Sequence, residues 1–314
     1  MPWDARTRRR LKLRELDILM AVVEMGGMRK AADHLHMSQP AVSKAIADLE
    51  HTLGVSLLDR SPQGVEPTQY GRALLKRGVA VFDELKQGVQ DIDFLANPQA
   101  GELRIGSSTA QSEGIVLAII DQLSRRYPRV AFHVVPGGTL VQYNELRERR
   151  VELAVVRLFG AATADDVNEE ILFEEPLVVV AGAENPWARR RKIKLADLVN
   201  EPWTWPAGSM INSLIIEAFR ANGLEAPRAA VHADAINMRI SLAATGRFLA
   251  VVPAGILRFR AKGAAIKVLP VELPRTQGRI GIITLKNRTL SPLAELFIES
   301  AREVAKPLAR GTPA

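Results

Sequence analysis

The 314-residue sequence predicts an α/β protein in two parts. A helical N-terminal stretch holds a helix-turn-helix and one long helix; an α/β body of two small sheets with a cleft between them follows. Three observations predict this. Residues 13–60 carry apolar side chains at helical spacing, broken by glycines and one tight turn. Phe82, Leu85, Val89, Ile92 and Ala96 then recur every three and four residues, a coiled-coil seam of about two heptads. From residue 102 strand and helix patterns alternate, which implies α/β architecture with largely parallel sheets.

Leu16, Leu19, Met20 and Val23 mark one face of a first helix, ended by Gly26-Gly27. A second short helix covers 28–35 with Ala31, Ala32 and Leu35 inward, and His36-Met37-Ser38 is the turn. Ser38 caps a third helix. Pro40 falls in its first turn, where a missing N–H costs nothing. Val42, Ile46, Leu49 and Leu53 form the buried stripe, and Gly54 stops the helix. Residues 56–60 and 65–67 read as a hairpin around Ser61-Pro62-Gln63-Gly64. Thr68 opens the long helix, which runs to about Leu95, and 96–101 is a linker. The expected division is 11–67, 68–97 and 101–310.

In the last part, strands are expected at 102–106, 130–135, 152–156, 176–181, 202–205, 229–232, 248–252 and 279–284. Helices are expected at 114–126, 140–149, 195–199, 211–221, 235–244 and 292–306. Lobe I takes 101–168 and 276–308 and lobe II takes 171–272, with crossovers near 171–175 and 274–277.

Composition excludes several function classes. There is no cysteine, so disulfides, thiolate metal sites, iron–sulfur clusters and thiol redox sensing are out. No apolar run approaches the roughly 18 residues of a membrane span. Asp17 and Glu24 interrupt any signal-peptide core, so the chain is expected in the cytoplasm, away from membranes. The pI of about 9.8 suggests an acidic partner such as nucleic acid. Residues 1–100 hold 14 basic and 13 acidic side chains, and 101–314 hold 28 and 22. Arg6, Arg8, Arg9, Arg10, Lys12 and Arg14 concentrate charge at the start, either as a phosphate-contacting arm or as a solvated end.

Two short helices joined by a tight turn, the second well capped, can read DNA. The reading helix must bury one face and present short polar groups near its N-terminus. Gln39, Pro40, Ser43, Lys44 and Ala47 form that outward set. Gln39 can pair bidentately with adenine or bond a phosphate, and Lys44 can meet guanine or the backbone. Ser43 suits either, while Ala41 and Ala47 permit close approach. An ordinary helical hairpin with a polar face is the alternative.

These residues carry a resemblance. Ala31-Ala32, Leu35, Ser38-Gln39-Pro40-Ala41-Val42-Ser43, Leu53-Gly54-Val55 and Thr68 with Gly71 closely resemble the LysR-type transcriptional regulators. The order of parts is similar over essentially the whole chain. The resemblance implies a winged helix-turn-helix, a dimerisation linker helix and a two-lobed periplasmic-binding-protein-like effector domain. It implies double-stranded promoter DNA as partner, bound by Gln39, Pro40, Ala41, Ser43, Lys44, Arg60 and Thr68, with Arg60 and the 61–64 turn as the wing. A homodimer or homotetramer, RNA polymerase as a further partner and a small-molecule inducer complete the expectation. The inducer would re-angle the lobes, shift protomer packing and change the DNA bend. The ten or so residues before Leu13 depart from the family pattern.

In open α/β sheets ligands sit beyond the carboxyl ends of strands. The residues there are Ser107, Ser108, Thr109, Gly137-Gly138-Thr139, Arg157, Ser209 and Asp234. Hydroxyls and glycines ahead of helices suit an oxyanion, and Arg157 adds a bidentate carboxylate contact. A small organic anion or sugar-like effector follows; helix capping alone is the alternative reading of each hydroxyl.

Other signals carry less. His34 and His36 share no helical face, so no metal or other cofactor is expected. Trp203 and Trp205 read as core, with stacking on a sugar as the alternative; Glu169-Glu170 and Glu174-Glu175 read as solvated charge in a loop or crossover; and Arg189-Arg190-Arg191-Lys192 with Lys194 reads as a solvated surface loop, with contact to an acidic partner as the alternative. A transport binding protein would explain 102–310 but not 13–95. An enzyme would need a nucleophile–base pair or a metal cluster, and the sequence offers neither.

Overall fold

The computed structural model describes residues 10–61, 64–97, 100–159, 165–208, 210–259 and 266–309. They fall into two compact units, Met1–Gly88 and Val89–Ala314.

In the first unit, α1 (Leu13–Glu24), α2 (Met28–His34) and α3 (Gln39–Leu53) close around Leu16, Leu19, Val22, Ala31, Val42, Ile46 and Leu49. His36 holds the left-handed region at φ 52° in the turn between α2 and α3, a conformation uncommon outside glycine. Ser38 caps α3 by accepting the Ala41 N–H, and Gly54 ends it at φ 68°. β1 (Leu58–Ser61) and β2 (Gly64–Pro67) pair antiparallel, Leu58 opposite Pro67. Glu50 holds the strand entry, its Oε1 accepting the N–H groups of Leu57 at 2.7 Å and Leu58 at 3.3 Å.

Helix α4 spans Gln69–Ala96. Its start lies hard against the strand entry: Thr68 donates its N–H to the Leu57 carbonyl at 2.9 Å. A Cβ on Gly71 would stand 2.1 Å from that oxygen, so only glycine fits. Of the expected seam, Phe82 turns into the first core instead, because the first half of α4 has that core to cover. Leu85, Val89 and Ile92 remain exposed in one row, with Leu95 beside them.

The second unit holds two five-stranded sheets. Its elements are β3 (Ala100–Ser107), α5 (Leu117–Arg126), β4 (Arg129–Pro136), α6 (Thr139–Arg147), β5 (Leu153–Leu158), β6 (Val167–Glu175) and β7 (Leu177–Gly182). There follow β8 (Trp203–Trp205), α7 (Met210–Ala221), β9 (Ala229–His232), α8 (Ile236–Ala244) and β10 (Leu249–Pro253). β11 (Ile266–Val268), β12 (Gly278–Leu285) and α9 (Pro292–Ala309) complete the chain. The sheet orders are β4-β3-β5-β12-β6 and β11-β7-β10-β8-β9.

The sheets are mixed, not largely parallel. β3 runs parallel to β4 and β5, but β12 is antiparallel to β5 and β6. In the second sheet β8 is parallel to β9 and β10, whereas β7 is antiparallel to β10 and β11. The reason is connectivity: β6 leads directly into β7, and β12 returns between β5 and β6. The acidic pairs Glu169-Glu170 and Glu174-Glu175, expected in a loop or crossover, therefore lie on the edge strand β6. Its charges have partners: Tyr143 donates its hydroxyl to Glu169 at 2.7 Å, and Arg302 grips Glu170 at 2.6 and 2.8 Å. Glu175 is buried, which corrects its reading as solvated charge. The chain changes sheet at Pro176, so 171–175 belong with the first sheet and not with lobe II.

Trp203 packs edge-on to Phe219 and Trp205 in the second core. The helix expected from 114 becomes regular only at Leu117; Ser112–Val116 is π-helical, distorted at Gly114.

Candidate functional site

The first candidate surface is the N-terminal turn of α3. Gln39, Pro40, Ala41 and Lys44 are exposed and Ser43 is half-buried, while Val42 and Ile46 anchor the opposite face. Gln39 donates Nε2 to Ser43 Oγ at 3.0 Å, which presets its amide on the outer face. Lys44 makes no ion pair among the described residues, so its charge is free for a ligand. Arg60 is exposed on β1; Pro62 and Gln63 at the hairpin tip lie outside the described residues. Thr68 stands apart. Its hydroxyl donates to the Ser56 carbonyl at 2.8 Å and accepts the Gly71 N–H at 3.1 Å, so it fixes the start of α4.

The second candidate is a cavity of about 530 Å³ between the two sheets of the second unit, within the range of small-molecule sites. Ser108, Thr109, Thr139, Arg157 and Asp234 all line it, together with Gly137 and Gly138. Ser209 lies outside the described residues. Ser107 is not on the wall. It is fully buried, its carbonyl accepting the Gly137 N–H at 3.0 Å and its hydroxyl donating to the Ser108 carbonyl at 3.1 Å. The strand end turns it inward and presents Ser108 instead.

Thr139 donates its hydroxyl to the Arg157 carbonyl at 2.9 Å and opens α6, whose N-cap Gly138 offers no side-chain acceptor. The first-turn N–H groups of α6 thus keep their attraction for an anion. Asp234 accepts the Ala207 N–H at 3.0 Å and fixes the opposite rim.

Arg157 lines the cavity, and its two terminal nitrogens are also bonded within the fold. It is only 4% exposed, inside β5, and its two terminal nitrogens donate to the carbonyls of Thr276 at 3.2 Å and Glu175 at 3.1 Å. It ties together the two segments that cross between sheets. Glu175 beside it accepts Gln111 Nε2 at 3.1 Å and the Gly255 N–H at 2.6 Å. Burial pushes the Glu175 carboxyl up, opposed by the Arg157 charge, and burial likewise lowers the Arg157 guanidinium.

Three cavity-region residues escape sequence reasoning: Gln111, Glu175 and Arg239. Arg239 lines the cavity from α8, is 5% exposed and donates to the Val251 carbonyl at 2.7 Å. Burial lowers its guanidinium to about 10, with Asp234 pulling the other way. A signal existed. Ile236, Arg239, Ile240 and Ala243 share one helical face, and an arginine in an apolar stripe marks a buried charge. No helix among the described residues is long and apolar enough to cross a membrane.

Known proteins agree with this geometry. Residues 13–72 match the family model for a bacterial regulatory helix-turn-helix protein of the lysR family, and 96–306 match the LysR substrate binding domain. The chain is 28% identical over 295 residues to the HTH-type transcriptional regulator GbpR of Azospirillum brasilense, covering 93% of this chain and 86% of that one. It is 27% identical to the transcriptional dual regulator GltC of Bacillus subtilis, covering 92% and 96%. Among solved structures it shares its fold with a full-length OxyR variant from Pseudomonas aeruginosa, at TM-score 0.69 and 22% identity over 96% and 99% of the two chains. It also shares it with full-length CbnR complexed with its target DNA, at TM-score 0.64 and 23% identity over 94% and 100%. The chain belongs to the LysR family of bacterial transcriptional regulators: it is a DNA-binding regulator with a substrate-binding domain, and not an enzyme.

Proposed function

We propose that α3 enters the major groove of a dyad-symmetric promoter site and reads it through Gln39, Pro40, Ala41, Ser43 and Lys44, with Arg60 on neighbouring phosphates. In this division 11–67 binds DNA, 68–97 joins protomers through Leu85, Val89 and Ile92, and 101–310 senses the effector. The effector is a small organic anion or a sugar-like molecule. One observation carries this: a 530 Å³ cavity walled by Ser108, Thr109, Thr139 and buried Arg239, with the uncapped start of α6 opening onto it. Arg157, on the cavity wall, and Glu175 hold the crossing segments whose angle a ligand would bias. Dimers or tetramers then present paired α3 helices to DNA in the cytoplasm and pass the change to RNA polymerase.

Footprinting upstream of the protein's own gene, at two salt concentrations, tests the first half. Protection of a dyad-symmetric site that weakens with salt supports it; equal affinity for unrelated DNA overturns it. Thermal shift with panels of carboxylates, sulfonates and sugars tests the second. A ligand whose stabilisation survives Arg239→Met and Thr139→Val unchanged would place its site elsewhere.

A further inference from the structure

Positive charge is distributed unevenly along the chain. Of the net +7, residues 177–272 hold 13 basic against 7 acidic side chains, a net +6, which leaves +1 for everything else. That stretch is the lobe of the second sheet, and its charge gathers at one end. Arg189, Arg190, Arg191, Lys192, Lys194 and Arg247 are all exposed there. The end is the one away from the effector cavity: β7 leaves the sheet at Gly182, Leu249 of β10 pairs with Ala181, and the far end of β10, Pro253, lines the cavity.

The segment is built, not loose. Asn185 is 3% exposed, donating Nδ2 to the Gly246 carbonyl at 2.9 Å and accepting the Trp187 N–H at 2.9 Å. That first bond ties the segment to the residue before Arg247. Ile193 and Leu195 are buried while Lys192 and Lys194 are exposed, Lys194 holding extended backbone just before the 3-10 turn Leu195–Leu198. Arg189, Arg190, Arg191, Lys192 and Lys194 thus place five exposed cations within six residues, from the end of the 3-10 turn Pro186–Arg189 to the start of the turn Leu195–Leu198. Neutralisation within the fold is slight. Glu184 lies 3.9 Å from Arg189, and Asp197 is turned to the main-chain N–H of Lys194 at 2.9 Å.

We propose that this basic pole of the second lobe is an auxiliary DNA-backbone contact, reading phosphates without sequence preference. A protein partner fits less well. Protein interfaces centre on exposed apolar or aromatic anchors, and none of the large exposed apolar residues lies in 183–194. Trp187 is half-buried, with the Arg190 guanidinium 6.0 Å from its ring centre. Phosphate binding asks only for presented charge and donor forks, and arginine supplies both.

The test is the salt dependence of full-length protein binding to a long duplex of mixed sequence. One variant combines Arg189→Gln, Arg190→Gln, Arg191→Gln and Lys192→Gln. A control of equal charge change combines Arg125→Gln, Arg126→Gln, Arg129→Gln and Lys306→Gln, all exposed on the other lobe. Each lost phosphate contact lowers the slope of log K against log salt by about 0.9, so loss of all four should bring the pole variant about 3.6 below the control. Equal slopes for the two variants overturn the proposal. Unchanged DNA binding with lost transcription by RNA polymerase also overturns it and assigns the pole to an acidic protein surface. A Lys44→Ala variant run alongside reports on α3 alone, so failure of the pole and failure of the reading helix are distinguishable.

Discussion

Replacing Gly71 with alanine sets two effects of opposite sign against each other. Alanine favours a helix interior over glycine by about 1 kcal/mol. The new Cβ, however, would stand 2.1 Å from the Leu57 carbonyl oxygen, 3.1 Å from its carbon and 3.2 Å from Pro67 Cβ. A tolerable carbon–oxygen contact is about 3.3 Å, so the backbones must part by about 1 Å. Leu57 cannot yield cheaply. Its carbonyl accepts the Thr68 N–H at 2.9 Å, and its own N–H is held by Glu50 at 2.7 Å. Overpacking costs about 1–3 kcal/mol and the strained Thr68 bond about 1 more. Subtracting the propensity gain leaves a loss of about 1–3 kcal/mol, a fall on the order of 10 °C in a unit of this size. One melting curve would blur two units, so the assay is hydrogen exchange over 50–72 together with DNA binding against temperature. Gly88→Ala on the same helix is the counterpart. Nothing lies within 4 Å of its Cβ position, so it should gain about 1 kcal/mol. Equal protection in the two variants would refute the close-approach argument.

Other outcomes are equally open to measurement. Lys44→Ala should weaken DNA binding and reduce the salt slope by about 1, whereas Gln39→Ala should relax sequence preference at about 1–3 kcal/mol with the salt slope kept; binding selections on randomised sites separate the two. Ile92→Asp, at an exposed point of the α4 row, should shift sedimentation of the full chain towards monomer while leaving each unit folded, and an unchanged oligomer would remove α4 from the interface. Glu175 provides a pH test. Burial raises its carboxyl above the ordinary 4.5, so its contribution to stability is present at low pH and lost as pH rises through the folded value. Wild type should therefore lose stability relative to Glu175→Gln as pH rises from about 4.5, and parallel melting profiles would contradict this.

The helix-turn-helix was legible in the sequence because each of its parts is local. Ser38, Pro40 and Gly54 act on the turn they occupy, and the stripe Val42, Ile46, Leu49 needs only helical spacing. The cavity was half legible. Ser108, Thr139 and Asp234 follow strand ends, where a rule about open sheets applies. Ser107 precedes the same turn by one residue, and a single step along a strand reverses the face. Arg157 stands at a strand end and lines the cavity as the sequence suggests, but its bonds to the carbonyls of Glu175 and Thr276 were illegible, because these lie 18 and 119 residues away. β6 was missed because an acidic edge strand looks like a loop: carboxylates on its exposed side serve to block further pairing, a tertiary need.

The order of the strands also sets a timetable for synthesis. Chains emerge N-terminus first and their parts fold as they are completed. The DNA-binding unit is therefore finished earliest. The second sheet, drawn wholly from 177–268, can close next. The first sheet cannot, because β12 lies between β5 and β6 and is among the last segments made. Until it arrives, β6 has no neighbour at all and β5 has one open side. A ribosome-bound regulator would thus acquire its grip on promoters before its sensor exists. A nonsense codon between β6 and β12 would leave a DNA binder deaf to its effector and carrying unpaired strand edges, a species for proteases to remove.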